Sequence, residues 1–170
     1  NYITNIPQSQ PMLGDYVLHA KYSDKGYNGV SPATTEAVLV LRSAAIQPGA
    51  ADENKGMMKF VIPNPVKELV YTCGSPSWLG YYDIDLTGIN SVEVNVSPDM
   101  GGTVEMRLDS PVGQLAGEPV NVPAGAKATA ISFNTKELTG MHKVYFISRN
   151  PEAKKAGDML LLFNSIEFKR

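Results

Sequence analysis

The 170-residue sequence predicts an all-β fold, an antiparallel β-sandwich with an N-terminal β-hairpin extension. Apolar residues alternate with polar ones over short segments, as in strands that bury one face. Turn-forming residues bound these segments, and the chain contains 15 Gly and 12 Pro. The one helix candidate, NPEAKKAG at 150–157, is too short and polar to form more than a turn. Short strands without crossover helices favour a sandwich over a parallel α/β fold.

The first two strand candidates, YVLHAKY (16–22) and AVLVLR (37–42), are joined by a long, turn-rich polar loop. The Pro- and Gly-containing stretch RSAAIQPGAADENKG follows them, which favours a boundary at this point. We therefore predict two parts, an N-terminal extension of connector strands at 1–44 and a β-sandwich at 45–170.

The clearest alternation lies in SVEVNVS and GTVEMRL, which are typical of half-buried strands. Further strand candidates lie at 57–62, 68–72, 128–133, 143–149 and 160–168. We expect one core to contain Val92, Val94, Val96, Val104, Met106, Leu108, Phe146 and Phe163. Arg107 and Asp109 alternate with these apolar residues and are expected on the opposite face. They either play a structural role, with Asp109 fixing the following Ser-Pro turn and Arg107 bonding a neighbouring strand, or contact a ligand.

The charge and cysteine content of the chain exclude several kinds of function. The chain has 15 basic and 17 acidic residues, a net charge of −2, and neither sign forms a long run. This pattern indicates no nucleic-acid partner and no anionic membrane surface. No apolar run approaches the length needed for membrane insertion. The single cysteine, Cys73, excludes an internal disulfide and is expected to be an inert buried thiol.

Three large aromatic residues cluster in GSPSWLGYYDIDLTG (74–88), directly after a turn signal. They are Trp78, Tyr81 and Tyr82. Rings beside a Gly/Pro turn either cover the end of a core or form the rim of a ligand site. We expect Trp78 to be partly exposed beside Tyr81.

Motifs that would indicate catalysis have simpler structural explanations. The DIDLTG pattern of Asp83 and Asp85 matches aspartate-nucleophile phosphotransferases, but that chemistry requires a parallel sheet with crossover helices. The two aspartates are therefore expected to flank a strand. His19 and His142 are isolated and lack metal-ligand spacing. Because no pair of carboxylates stands out for glycoside hydrolysis either, we predict that the protein is not an enzyme.

The run GGTVEMRLDSPVGQLAGEPVNVP (101–123) resembles the signature of family 6 carbohydrate-binding modules. SWLGYYDIDLTGINSVEVNVS, GMHKVYFIS and LLLFNSIEF occur in the order that this family shows, so the resemblance covers about residues 45–170. It implies a β-jelly roll, a sugar-binding role and usually one structural calcium. The strands before residue 45 are similar to connectors that precede such modules in large secreted sugar-acting proteins. The resemblance therefore implies a C-terminal module of a larger protein that is secreted, periplasmic or on the cell surface.

The family's sugar cleft corresponds only in part to this sequence. The resemblance places Tyr81 at one wall of the cleft. The opposite wall is usually a Trp after a Gly-Gly turn, whereas AGAKATAISF has Ala126 and its neighbours there. A gapless match of the last strand puts Leu162 at the sugar-bonding Asn and Asn164 at the calcium-binding Asp, and a two-residue deletion would instead make Asn164 the sugar ligand.

The calcium site of the family is also altered. Gly49 stands where the family has a carboxylate, and Asp52 and Glu53 follow a few residues later. Calcium requires six to eight oxygen ligands with several carboxylates. We therefore predict no cofactor and no metal, with Asp52, Glu53 and Asn164 as the weak candidates for calcium ligands.

These observations predict a noncatalytic carbohydrate-binding module that stacks a sugar on Tyr81 and Trp78, with Tyr82 and Asn164 in the same site. Its partners would be an oligo- or polysaccharide and other domains of the same parent chain. The alternative is a structural or docking β-sandwich domain of a larger secreted sugar-acting protein that has lost the sugar site.

Overall fold

A computed structural model describes residues 16–63 and 65–170. The chain divides into two compact units, residues 1–43 and 44–170. This division lies one residue before the boundary expected from the sequence. The first unit contains the two-stranded antiparallel sheet of β1 (Tyr16–Ser23) and β2 (Thr34–Leu41).

The hairpin of the first unit exposes apolar side chains. Leu18 and Leu39 are paired across the two strands, and each is 51% exposed. At its turn, the Asp24 carboxylate accepts hydrogen bonds from the backbone N–H groups of Ala33 and Gly26, which lower its pKa. A two-stranded sheet by itself is marginally stable in water, so the described strands of this unit gain little from burial against each other.

The second unit is a sandwich of two antiparallel sheets. One has the strand order β10-β9-β12-β7-β4, and the other has the order β11-β8-β13-β6-β5 with β3 added beside β13. The elements are β3 Ala45–Ile46, a 3-10 turn at Pro48–Ala50, β4 Glu53–Lys55, β5 Met57–Pro63, β6 Val66–Cys73, β7 Ser77–Asp85, β8 Ser91–Pro98, β9 Gly102–Leu108, β10 Val120–Val122, β11 Thr129–Asn134, β12 Met141–Arg149 and β13 Met159–Lys169.

The core lies between the two sheets and confirms the alternation seen in the sequence. All eight predicted core residues are buried in it: Val92, Val94, Val96, Val104, Met106, Leu108, Phe146 and Phe163. Arg107 is half-buried on the other face of β9, as expected, whereas Asp109 is exposed one residue beyond the end of that strand, with a φ of 66°. The predicted β-sandwich is thereby confirmed, and the register of β8 and β9 is correct.

The main difference from the sequence prediction is β7. The segment after the turn signal is not among the strand candidates of the sequence, but Trp78 is the second residue of a nine-residue strand. The Gly-Ser-Pro-Ser turn ends one residue earlier than expected, and β7 pairs with β12 on one side and β4 on the other. The short strands β3, β4 and β10 were also not predicted. The segment 150–157 forms turns, as expected.

Within the described ranges, no helix has the length and apolar character required to cross a membrane.

Candidate functional site

The candidate site is the outward side of the five-stranded sheet, which we call the aromatic face. It consists of Glu53 on β4, Trp78 and Tyr82 on β7, Lys143, Tyr145 and Arg149 on β12, and Glu105 and Arg107 on β9. Alternation along β7 creates it, because the side chains of Leu79 and Tyr81 enter the core while those of Trp78 and Tyr82 point away from it.

Tyr81 does not belong to this face, and its predicted role as a stacking wall is wrong. Its side chain is 0% exposed and packs edge-on against Phe146, with 6.1 Å between ring centroids. Its hydroxyl donates a hydrogen bond of 2.8 Å to the carbonyl of Pro48, and burial strongly raises its pKa. Tyr81 therefore joins β7 to the 3-10 turn and offers no ring surface to a ligand.

Trp78 is half-buried, which confirms the prediction that it is partly exposed. Its aromatic neighbour is Tyr145 rather than Tyr81. The two rings meet edge to face, with centroids 5.6 Å apart and planes at 78°. Tyr145 lies opposite Gly80 in the register, and its ring covers the place that a side chain at residue 80 would occupy. The absence of a side chain at Gly80 therefore leaves room for the Tyr145 ring beside Trp78.

A carboxylate holds two of the tyrosines of the face. Glu53 accepts hydrogen bonds from the hydroxyls of Tyr82 and Tyr145, the second at 3.0 Å. The Tyr82 bond, then the Tyr145 bond, lowers the pKa of Glu53. Lys143 lies over the Tyr82 ring at 4.0 Å from its centroid, a cation–π contact. Tyr82 is half-buried, so its ring and Trp78 are the two aromatic surfaces that solvent reaches on this face.

Beyond Tyr145, the face continues as a charged cluster. Glu105 has a side chain only 11% exposed and pairs with the Nε atoms of Arg107 at 2.6 Å and Arg149 at 2.9 Å. Arg107 also donates to the Gly113 carbonyl at 2.6 Å. The cluster adds fixed hydrogen-bond donors beside the rings.

Arg107 and Asp109 have structural roles, but their hydrogen-bond partners differ from those expected from the sequence. Arg107 bonds Glu105 on its own strand and the loop carbonyl of Gly113. Asp109 accepts hydrogen bonds from the Lys143 backbone N–H and lies 3.2 Å from His142 Nδ1, so it ties β9 to β12 instead of fixing the Ser-Pro turn.

Asn164 lies on a different surface from Trp78 and Tyr82. It is exposed on β13 of the six-stranded sheet, where its Nδ2 donates to Ser97 Oγ at 3.0 Å. The structure therefore does not bring Asn164 together with the aromatic face, and its predicted place in the same sugar site is wrong. Alternation in KVYFISR could have identified Tyr145 and Arg149, because both face away from Phe146.

The structure also tests whether a calcium ion of the kind implied by the resemblance fits at Gly49. The Gly49 carbonyl accepts a hydrogen bond from the Lys59 ammonium, which lies 3.6 Å from Glu68 Oε1. A Cβ on Gly49 would meet that same oxygen at 1.5 Å. The Lys59 ammonium and the Glu68 carboxylate therefore fill the space around Gly49, and these residues do not fit a calcium ion.

The weak candidates for calcium ligands have other partners. Asp52 accepts the Tyr82 backbone N–H at 2.8 Å, Glu53 holds the tyrosine hydroxyls, and Asn164 lies on the other sheet. Within residues 16–63 and 65–170, no three His, Cys, Asp or Glu side chains are grouped to hold a metal ion.

Comparison with known proteins identifies the fold. No protein-family model matches the chain. The arabinoxylan arabinofuranohydrolase of Bacillus subtilis (strain 168) is 38% identical over 72 residues, which cover 41% of this chain and only 14% of that enzyme.

Solved structures match over a larger part of the chain. A β-1,3-glucan-binding family 6 module from Bacillus halodurans superimposes with a TM-score of 0.61 at 24% identity, covering 74% of this chain and 95% of that module. A family 6 carbohydrate-binding module from Clostridium cellulolyticum, solved with xylose, gives 0.61 at 23% identity, covering 76% of this chain and 100% of that one. The protein therefore has the fold of the family 6 carbohydrate-binding modules, as the sequence signature predicted.

Proposed function

We propose that residues 44–170 form a noncatalytic carbohydrate-binding module and that Trp78 and Tyr82 on the aromatic face are its stacking surface. The observation that carries the proposal is the pair of partly exposed rings on one side of β7, bordered by fixed polar groups. The fold shared with sugar-binding modules supports it.

The chemistry of the face suits a sugar. A pyranose ring has apolar C–H faces and a polar rim of hydroxyls, so it stacks on an aromatic ring while its rim bonds polar neighbours. Glu53 offers carboxylate oxygens as acceptors, and Arg149, with a side chain 40% exposed, offers guanidinium donors. The hydrogen bonds that hold Glu53 and Arg149 in place reduce the entropy lost when a ligand binds.

The proposal assigns no catalysis to the domain. A glycosidase needs one carboxyl group that stays protonated to act as the general acid. The tyrosine hydroxyls lower the pKa of Glu53, the opposite of what a general acid requires. Glu105 is paired with two arginines.

The proposal extends to the setting of the module. The chain spans 14% of the length of the curated relative it matches, which supports a module attached to a larger sugar-acting protein. We propose secretion or display at the cell surface on the same basis. Candidate ligands are xylo-, cello- and β-1,3-gluco-oligosaccharides, because similar modules were solved with or named for such sugars.

The experiment is a titration of the whole chain with these oligosaccharides, followed by Trp78 emission. Because Trp78 is the single tryptophan, its emission reports on this face alone. We expect the emission to change saturably with a millimolar dissociation constant, which corresponds to about 4 kcal/mol of binding free energy. Calorimetry should show that Trp78→Ala and Tyr82→Ala each weaken binding by about 1–3 kcal/mol.

Tyr71→Ala is the matched control, because Tyr71 is a half-buried aromatic residue of β6 in the other sheet. It should leave the affinity unchanged. Equal loss of affinity in Tyr71→Ala and Trp78→Ala, with both variants folded, would place the sugar elsewhere and contradict the proposal.

The second candidate is a docking domain, and the outward side of β5 favours it. Met58, Phe60 and Ile62 share that side and are 38–40% exposed, and Phe60 meets Tyr71 edge to face at 5.7 Å. Exposed apolar side chains on an edge strand are typical of a surface that packs against another domain. This candidate predicts that no glycan changes Trp78 emission and that β5 amides exchange hydrogen more slowly in the longer parent protein than in this chain.

A further inference from the structure

A pocket of about 330 Å³ lies where three loops of the second unit meet, and we call it the loop pocket. Its lining comes from the β4–β5 turn at 55–56, the β6–β7 loop at 73–76 and the β12–β13 loop at 153–156. The apolar part of its lining includes Cys73, Pro76 and two alanines. All the charged residues in its lining are lysines: Lys55, Lys154 and Lys155.

Hydrogen bonds between the loops hold the pocket in shape. The Cys73 N–H donates to the Gly56 carbonyl at 2.7 Å, and the Gly74 N–H donates to the Asp158 carbonyl at 2.9 Å. The Asp158 carboxylate accepts the backbone N–H groups of Lys154 and Lys155, each at 2.9 Å. The main chain that carries these two lysines is thus fixed before any ligand arrives.

The ammonium groups of the pocket lack acidic partners in the described part of the chain. Lys21, Lys59 and Lys169 each form an ion pair with a glutamate, whereas Lys55, Lys154 and Lys155 form none within 4.0 Å. Lys154 Nζ donates to the Pro151 carbonyl at 2.5 Å, which uses one of its three protons. Positive charges without neutralising partners around a pocket create a positive potential that attracts an anion.

The loop pocket adjoins the aromatic face. Lys55 lies directly opposite Trp78 in the pairing of β4 with β7, and Pro76 is two residues before Trp78. Neighbouring strands are about 4.8 Å apart, roughly the length of one sugar ring. A sugar stacked on Trp78 can therefore direct a substituent toward Lys55 and the pocket.

We propose that the loop pocket binds the anionic group of an acidic glycan, a carboxylate or a sulfate ester on a sugar ring. This inference rests on the proposed function, because it names the class of sugar that the same module selects. A carboxylate or sulfate accepts several hydrogen bonds, and ammonium donors are suited to it as point charges. The apolar part of the lining accommodates the C–H groups of the ring that carries the anion.

The test uses the 15N-labelled whole chain at low ionic strength, with amide chemical shifts as the readout. The probes are glucose, glucuronate, glucose 6-sulfate and inorganic sulfate. We expect glucuronate, glucose 6-sulfate or both to change the amide chemical shifts of Gly74, Ser75 and residues 153–156. Which of these sugars causes the change identifies the anionic group that the pocket accepts. Glucose should leave them in place, inorganic sulfate should bind more weakly, and added salt should reduce the shifts.

The double variant Lys154→Gln/Lys155→Gln should bind the acidic sugar at least about tenfold more weakly, because charge-assisted hydrogen bonds are lost. Lys127→Gln/Lys136→Gln is the matched control, since it removes the same charge from two exposed lysines outside the pocket. It should bind as the unmodified protein does.

Three results would overturn the inference: pocket amides that no acidic sugar shifts, equal shifts with glucose, or equal loss of binding in both double variants. Its failure is distinguishable from failure of the proposed function. If neutral oligosaccharides change Trp78 emission but acidic sugars do not shift the pocket amides, the module still binds sugar. In that case only the proposed preference for acidic glycans is contradicted. Pocket shifts without any response of Trp78 to oligosaccharides support the anion site and contradict stacking on the aromatic face.

Discussion

Gly80 is the residue on which the arrangement of the aromatic face depends most directly. An ideal Cβ at this position would lie 2.6 Å from Cε1 of Tyr145. Such a contact is impossible, so Gly80→Ala must displace the Tyr145 ring. We expect a loss of about 1–3 kcal/mol in the free energy of unfolding, measured by urea denaturation, because overpacking forces side chains away from their preferred positions. Displacing the ring should also alter Trp78 emission.

Gly157→Ala is the control for that change, because nothing lies within 4 Å of the corresponding Cβ position and residue 157 lies in an exposed loop. We expect it to leave the urea midpoint and the emission unchanged. A Gly80→Ala variant as stable as the unmodified protein, with the same emission, would show that Tyr145 does not cover residue 80.

Glu53 makes the stability of the domain depend on pH in a defined direction. Its folded-state pKa is lowered below the ordinary value of 4.5, first by Tyr82 and then by Tyr145. A carboxyl group with a lowered pKa contributes stability above its unfolded-state pKa and loses that contribution as pH falls through the folded-state pKa. The Tm difference between the unmodified protein and Glu53→Gln should therefore be largest near neutral pH and shrink steadily below about pH 4.5.

The measurement is a series of thermal unfolding curves from pH 7 to pH 2. Glu118→Gln, which changes an exposed glutamate in the loop before β10, serves as the control and should show a smaller pH-dependent difference. A Tm difference for Glu53→Gln that stays constant across this range would contradict the role given to the two tyrosine hydroxyls.

At the scale of elements, two hydrogen bonds join the 3-10 turn at Pro48–Ala50 to the sandwich. Tyr81 bonds the Pro48 carbonyl from inside, and Lys59 on β5 bonds the Gly49 carbonyl from the side. The Lys59 side chain is 38% exposed and its partner Glu68 is 44% exposed, so solvent screens their attraction. The ammonium nevertheless places a cation at the point where the family resemblance implied calcium.

This arrangement predicts how the domain responds to calcium. Chelator should leave the Tm of the unmodified protein unchanged, since a ligand stabilises only in proportion to its occupancy. Lys59→Ala should lower the Tm by a few degrees, because it reduces the free energy of unfolding by about 1 kcal/mol. Lys59→Arg should retain most of the stability. A fall in Tm with chelator that added calcium reverses would show that a metal binds despite Lys59.

How far an element can be predicted from sequence depends on whether its two faces differ in polarity. In β8 and β9, Val and Met residues alternate with Glu, Asn and Arg, so the pattern predicts both the strand and its buried side. β7 has large rings on both sides, with Tyr81 inside and Trp78 and Tyr82 outside. Polarity therefore could not assign these rings, although alternation continued from Leu79 would have placed Tyr81 in the core.

Local irregularity limits the prediction further along β7. Tyr82 and Asp83 lie opposite the single residue Lys143, and Asp83 has a φ of 54°, so a β-bulge interrupts the alternation. Strands of two or three residues, such as β3 and β4, leave too few positions for any period to be recognised. The partners of Glu53 depend on strand pairing between distant segments, which alternation within one segment does not reveal.

At the scale of the whole molecule, the two units differ in how they are stabilised. Among the residues that the structure describes, the core cluster of the second unit begins at Ile46 and ends at Phe168. A core of this kind in a domain of more than 100 residues is enough for independent folding. In the hairpin, in contrast, the side chains of Leu18 and Leu39 are about half exposed.

We therefore expect the shortened chain of residues 44–170 to fold alone, with a Tm within about 3 °C of the whole chain and the same affinity for the oligosaccharide that changes Trp78 emission. A peptide of residues 1–43 should show no cooperative unfolding by circular dichroism, because two strands without a covering layer gain too little from burial to offset their loss of conformational entropy. Because the aromatic face and the loop pocket both belong to residues 44–170, loss of sugar binding on shortening, with the fold intact, would show that the hairpin contributes to the site.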